Sequence, residues 1–505
     1  MLAAARKRRS RGRIEAMETD LGASSNSTIG TRLAIFLVAA TSGLVLVIEI
    51  LAGRLVAPYV GVSLETFTGI IGTILAGIAI GAAVGGSLAD RYDPVRLIAQ
   101  ALFYGGALTW LSIPIVSILG PNLGSGPLAI VVLAAGGFLA PAAVLSGIGP
   151  MVAKLELGSL DDTGAVVGRL SAAGTFGALI GTFGTGFVLI ALLPVRTIII
   201  AVGLILVVSG IALFLSTKRA RPTGIDIAFV LIAALGSVAI NSPCDQTTTY
   251  YCVRVVADDP AERPGGRSLI IDQLRHAHVD LDDPTFLDIR YMRLFADVSD
   301  SLPDGPIRVL HVGGGGFSLP RYLNAIRPGT ENVVLELDPE LVDIAEVQLG
   351  LTDADSLDIR TGDARLHLDD LADDSFDLIV GDAYSGSSVP WHLTTVEVVE
   401  QFDRLLSPGG TYMMNVIDGN ENRFADAQLA TLGEVFDELA LIEPEGGIGS
   451  FAVNQILIAQ DGPIEPFDID PTDGRRLEPE ELAFRIDEDD LVLTDNFAPA
   501  DQLLR

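Results

Sequence analysis

The last 262 residues of this 505-residue chain contain no lysine: every basic residue after position 243 is an arginine, 17 of them against 53 Asp and Glu. Residues 1–243 carry 16 Lys and Arg against 11 acids, so nearly all of the net charge of −31 sits on the second half. Such a surface repels phosphate, which excludes nucleic acid as a partner. Its self-repulsion weakens a compact state at low ionic strength and is screened by dense salt, so the composition reads as a halophile's adaptation, with a polycation-attracting surface as the alternative. Cysteine is almost missing too. Cys244 and Cys252, eight positions apart, are all there is, which rules out a disulfide-built scaffold and supplies no metal set. The pair is either one disulfide outside the cytoplasm or two ordinary thiols inside it. The five histidines, among them His276, His278 and His311, fall at no metal-ligand spacing, so no metal is expected.

The first half lacks charge where it is most apolar. Seven apolar stretches lie near residues 33–52, 66–89, 95–119, 127–151, 165–193, 195–215 and 225–240. Six are long enough to cross about 30 Å of hydrocarbon at about 1.5 Å per residue, and the seventh, headed by Asp226, is marginal. These stretches predict a multi-pass bundle in a lipid bilayer. The fifth carries Gly168, Gly174, Gly177, Gly181 and Gly184, a spacing that lets helix backbones approach closely. Basic residues gather at Arg6–Arg13, at Arg91 and Arg96, and at Lys218, Arg219 and Arg221, which puts the N-terminus in the cytoplasm of a cell-membrane protein. No small-residue cleavage pattern follows the first basic cluster, so a removed signal peptide is not expected. Six spans leave the second half in the cytoplasm and seven put it outside; the sequence leaves both open. Glu49, within the first span, needs a partner such as Arg54, or else marks a cation path.

The second half begins with strand-like YCVRVV and SLIID around a Pro-Gly-Gly stretch, a hairpin ahead of the main fold. From Ile307 the pattern is strand, glycine turn, helix, strand, helix, with helical stretches at 339–349 and 394–406. This predicts a parallel, doubly wound α/β sheet of Rossmann-like, class I methyltransferase type. The expected domains are a polar tail (1–30), a bundle of six or seven helices (31–243), a small β element (244–300) and a nucleoside-binding α/β domain (301–505). In such a sheet the ligand lies at the carboxyl ends of the strands, where the turn Gly313–Gly316 lets backbone approach it without Cβ obstruction. Glu336 follows Gly313 by 23 positions and ends the next strand, the offset of a carboxylate that holds ribose hydroxyls. Asp363 and Asp382 end the third and fourth strands. Ser318 stands where a dinucleotide fingerprint needs its last glycine, which disfavours a dinucleotide.

The segments SLIIDQLRHAHVD, HVGGGGFSLPRYL, LELDPELVDIA, TGDARLHL, DAYSGSSVPWHLTT and LTDNFAPADQLL together resemble the spermidine synthases, the polyamine aminopropyltransferases, and in particular their membrane-fused relatives. The likeness covers roughly residues 251–505. It implies decarboxylated S-adenosylmethionine as co-substrate and an amine such as putrescine as acceptor. By the same likeness Glu336 holds the ribose, Asp363 with Ala364 the adenine, Asp382 accepts the proton, and Pro390 belongs to a loop over the site. His276, Gly313, Gly314, Gly315 and Asp338 complete the nucleoside set, and Tyr291, Tyr384 and Ser385 the acceptor set. The chain also departs from the family: Gly316 and Ser385 replace two amine-binding aspartates, His276 stands for a glutamine, and Met292 and Arg293 for the family's His-Glu. Arg293 is expected to repel a diamine.

Two further readings compete. One is a methyltransferase using S-adenosylmethionine itself, whose extra carboxylate would pair with Arg293 or His276. The other is a polyamine transporter or sensor gated around Glu49 by a non-catalytic nucleoside-binding domain. Assembly with further copies of the chain is left open.

Overall fold

The computed structural model describes residues 30–124, 126–157, 163–217, 222–352, 355–383, 389–419, 421–444, 453–486 and 490–504. The N-terminal tail, with Arg6–Arg13, and the cluster Lys218, Arg219 and Arg221 lie outside the described residues. The chain forms two compact units. One comprises most of the first 241 residues, and the other comprises residues from 242 onward with the helix ends at 56–68 and 120–130.

In the first unit the apolar stretches are helices: α1 (Thr31–Val60), α2 (Leu64–Ala89), α3 (Pro94–Leu123), α4 (Pro127–Glu156), α5 (Thr163–Leu192), α6 (Val195–Thr217) and α7 (Gly224–Ala239). Six are long and apolar enough to cross a membrane. The 16 residues of α7 span about 24 Å at 1.5 Å per residue. Both ends of α7 are tied within the bundle. Asp226 accepts a hydrogen bond from Tyr104 of α3 and closes a capping box with Thr223. At the other end Arg196 of α6 donates to the carbonyls of Ser237 and Val238 at 2.6 and 3.0 Å.

Close packing in α5 is concentrated on three of the five glycines singled out from the sequence. A Cβ on Gly177 would lie 1.9 Å from the carbonyl oxygen of Ala39, and one on Gly181 would lie 2.3 Å from that of Gly43, both on α1. A Cβ on Gly174 would meet Ser42 Oγ at 3.2 Å, whereas Gly168 and Gly184 face open space, contrary to the expectation that all five serve the contact. Where lipid provides no hydrophobic drive between helices, such approach is what holds them together.

The second unit opens with a four-stranded antiparallel sheet, β1 (Gln246–Thr247), β2 (Cys252–Ala257), β3 (Gly266–Ile271) and β4 (Leu274–Asp280), in sequential order. The expected hairpin is its β2–β3 pair. Cys244 and Cys252 are joined as a disulfide at its edge. After α8 (Arg290–Asp300) comes the main sheet: β5 (Arg308–Val312), α9 (Ser318–Ile326), β6 (Glu331–Glu336), α10 (Pro339–Gln348), β7 (Leu357–Thr361), α11 (Ala364–Leu368), β8 (Phe376–Gly381), α12 (Val396–Leu405) and β9 (Leu406–Asp418). The strand order β7-β6-β5-β8-β9 is wholly parallel, as the alternating apolar runs and helices require.

Beyond β9 the sheet departs from the parallel expectation. After α13 (Arg423–Gly433), strand β10 (Glu438–Pro444) and then β11 (Val453–Gln460) enter, β11 pairing antiparallel with both β9 and β10; β12 (Gly474–Arg476) adds an antiparallel edge. Ile456, Leu457, Ile458 and Ala459 of β11 are fully buried, and a strand buried on both faces reads the same whichever way it runs. Cores fill both faces of the sheet, one around Phe376, Phe402, Tyr412 and Phe424, the other around Phe295, Leu323 and Ile456.

Candidate active site

The carboxyl ends of β5, β6, β7 and β8 converge, with β4, the start of α8 and the end of β9, on one cavity of about 470 Å3, within the roughly 300–1,000 Å3 of small-molecule sites. The turn after β5 forms its floor. Gly313 has φ +106°, and a Cβ there would lie 2.4 Å from the carbonyl oxygen of Asp382, so only glycine fits between the two strand ends. The chain turns through Gly315 and Phe317, both left-handed, into α9.

Glu336 ends β6 beneath this turn and is buried. Its Oε2 accepts from the backbone N–H groups of Gly314 at 2.9 Å and Gly315 at 3.2 Å, and its Oε1 from that of Asp338 at 3.0 Å. Burial pushes its carboxyl above the usual range, opposed by these three donors. The carboxylate thus holds the glycine turn in shape while bordering the cavity. Asp363 caps α11, its Oδ1 taking the N–H of Arg365 at 3.0 Å, and its Oδ2 lies 3.2 Å from His392 Nε2. Ala364, Pro390 and His392 line the same side.

Asp382 follows β8 and is half-buried in the cavity wall. Tyr291 of α8 donates its hydroxyl to Oδ2 at 3.0 Å, and Asn415 of β9 donates its amide to Oδ1 at 2.9 Å. Asn454 of β11 in turn donates to Asn415 Oδ1 at 2.9 Å, fixing which way that amide points. Burial raises the Asp382 carboxyl to about 7, against the two hydrogen bonds that favour its charged form. Neither of those bonds is a helix cap, the bland role open to a carboxylate at a strand end. His276 of β4 donates from Nδ1 to the carbonyl of Leu274 at 3.1 Å, leaving Nε2 a bare lone pair, shut off from solvent and without a partner. Burial lowers the pKa of this imidazole, keeping it neutral. An orphaned acceptor at the cavity wall, three carboxylates at strand ends and a glycine floor together fit an adenosyl sulfonium.

Of the residues singled out from the sequence, His276, Tyr291, Gly313, Gly314, Gly315, Glu336, Asp363, Ala364, Asp382 and Pro390 all line this cavity. Asp338 does not. Wholly buried, it accepts the N–H of Glu340 at 3.1 Å as the cap of α10, and so acts behind Glu336 rather than on a ligand. Tyr384 and Ser385 lie outside the described residues. Arg293 is not in the wall either: its guanidinium forks onto Asp473 at 2.7 and 2.5 Å and onto the carbonyls of Leu287 and Asp288, so it repels nothing in the site. Sequence reasoning missed Asn415 and Asn454; the one trace of either is an amide interrupting an apolar strand, TYMMNVID and VNQILIA. Among the described residues no group of three or more His, Cys, Asp or Glu stands together as a metal set.

No family model matches the chain. It is 29% identical over 213 residues to a polyamine aminopropyltransferase of Vibrio vulnificus (strain CMCP6), a match spanning 39% of this chain and 70% of that protein. It is also 27% identical over 176 residues to one of Chromobacterium violaceum, covering 35% and 66%. An eEF1A lysine and N-terminal methyltransferase of Danio rerio is 31% identical over 123 residues, 23% of this chain but only 18% of that protein. Among solved structures, a probable spermidine synthase from Corynebacterium glutamicum ATCC 13032 aligns with a TM-score of 0.45 at 26% identity, covering 51% of this chain and 99% of that one. With the strand-end carboxylates around a glycine turn, the sequence matches to the two aminopropyltransferases support a transferase similar to the spermidine synthases.

Proposed function

We propose that the protein is a membrane-bound transferase that moves an aminopropyl group from decarboxylated S-adenosylmethionine to an amine, with Asp382 as proton acceptor. The observation that carries this reading is the Asp382 carboxyl, held at the cavity wall between the Tyr291 hydroxyl and the Asn415 amide, with desolvation pushing it up to about 7. A base is most effective when its pKa lies near the working pH. The sulfonium supplies an activated leaving group. As the nitrogen–carbon bond forms, the carbon–sulfur bond breaks, its electron pair neutralises the sulfur, and the surplus proton on nitrogen passes to Asp382. Glu336 would hold the ribose while fixing the glycine turn, and Asp363 with Ala364 would border the adenine. Alignment and charge placement then account for the acceleration.

Methyl transfer from S-adenosylmethionine is the second reading, favoured by Gly316. A Cβ there would meet the Ala277 Cβ at 2.5 Å, so this position cannot take the aspartate that aminopropyltransferases carry. Against it stand the groups expected to hold the extra carboxylate: Arg293 is committed to Asp473, and neutral His276 presents a lone pair, which repels one. The two readings part on product. Incubated with each sulfonium and an amine in high salt, the full chain is expected to release methylthioadenosine from the decarboxylated donor, with kcat/KM rising with pH through about 7. Release of S-adenosylhomocysteine alone would overturn aminopropyl transfer.

A further inference from the structure

The wall beside Asp382 is built differently from the one that closes the nucleoside side. Among the described residues it is formed, beside Tyr291, by Ile289 and Met292 at the start of α8, Ile417 and Asn415 of β9, and Asn454 of β11: three apolar side chains and two amides. The other cavity carboxylates, Glu336 and Asp363, stand after β6 and β7 and are engaged there with the glycine turn and His392. Of the acids that adjoin it in sequence, Asp288 is paired with Arg275, itself in the cavity wall, at 2.5 Å, and the buried Asp418 is spent on the backbone N–H groups of Gly419, Phe424 and Ala425. Asp382 itself is already bonded through both oxygens.

Resting on the aminopropyl-transfer reading, we infer that the acceptor is a primary amine whose far end is uncharged and aliphatic, rather than a diamine. A diamine whose reactive nitrogen sits at Asp382 must carry its second ammonium along this wall. A cation taken from water into an apolar lining without a counter-charge loses several kcal/mol that the lining cannot return. An alkyl chain of the same length gains there by burial, about 0.8 kcal/mol per CH2. Asn415 and Asn454 add no negative charge, because one amide of the relay is spent on Asp382 and the other on its neighbour.

Isosteric pairs test this: n-pentylamine against putrescine, and n-hexylamine against cadaverine, each differing by a terminal methyl in place of an ammonium. Two readouts are taken on the full chain in high salt: methylthioadenosine release from the decarboxylated donor, and binding of each amine to protein saturated with methylthioadenosine. The monoamines are expected to win by about 100-fold in both. Ile417→Asp and, separately, Met292→Glu add a carboxylate to the wall and are expected to move the preference at least tenfold toward the diamines. Diamines that bind or react as well as their monoamine partners would overturn the inference, as would folded variants with an unmoved preference. If monoamines bind preferentially yet nothing is turned over, the inference stands and aminopropyl transfer falls.

Discussion

Replacing Asp382 by Asn should slow the enzyme and steady the fold at once. The amide is nearly isosteric: its oxygen can still accept from Asn415, and its nitrogen can donate to the Tyr291 hydroxyl, so the surroundings need not move. What disappears is a desolvated charge. Raising an aspartate from its ordinary 3.8 to about 7 means that the folded protein holds this proton more tightly than the unfolded chain. The group's contribution to stability is therefore complete below the unfolded pKa and is lost as pH rises through the folded one. Roughly three pH units at about 1.36 kcal/mol each give a ceiling of about 4 kcal/mol above pH 7. Between pH 5.5 and 8 the advantage of Asp382→Asn should grow by about 2 kcal/mol, several degrees of melting temperature for a unit of this size. Methylthioadenosine release should meanwhile fall by about 10²–10⁴-fold, the usual worth of a positioned base, with methylthioadenosine still bound. Activity within tenfold of the unsubstituted protein, together with a stability gap that is flat in pH, would refute the assignment of Asp382 as a desolvated base.

Glu336→Gln turns an NH2 group toward one of the three backbone N–H donors it now satisfies; methylthioadenosine affinity should drop about 10- to 100-fold, measured by titration. Gly316→Asp forces β4 away from the turn through Ala277, so a loss of about 1–3 kcal/mol in stability and weaker nucleoside binding are expected, not a restored diamine site. With a net charge of −31, the melting temperature should climb steadily as salt is raised from about 0.1 M to above 1 M, where the Debye length falls from about 10 to 3 Å; a flat response would remove the salt-adaptation reading. If α7 is a seventh crossing and the basic tail is cytoplasmic, the disulfide of Cys244 and Cys252 faces the cell exterior. A membrane-impermeant maleimide should then label reduced intact cells at these residues, the chain having no other cysteine. Labelling only after permeabilisation would put the second unit inside, next to the cytosolic sulfonium.

The apolar runs and the three strand-end acids were readable because their physics is local. A helix long enough for lipid, a glycine forced by its backbone angle and a carboxylate at the end of an apolar strand each declare themselves within a few residues, so the bundle, the parallel strands and Glu336, Asp363 and Asp382 followed from the chain itself. The rest depends on partners distant in sequence. Arg293 looked like a cation in the site until Asp473, 180 residues on, drew it aside. Asp338 looked like a ligand contact but turned out to cap α10 behind Glu336. Asn415 and Asn454 gained their roles only when β11 entered antiparallel beside β9 and set one amide against the other. Sequence periodicity fixes which residues must be buried and which element they form. Which buried polar groups find each other, and with what shift in proton affinity, is decided by long-range packing, because desolvation and hydrogen bonding act across space and not along the chain.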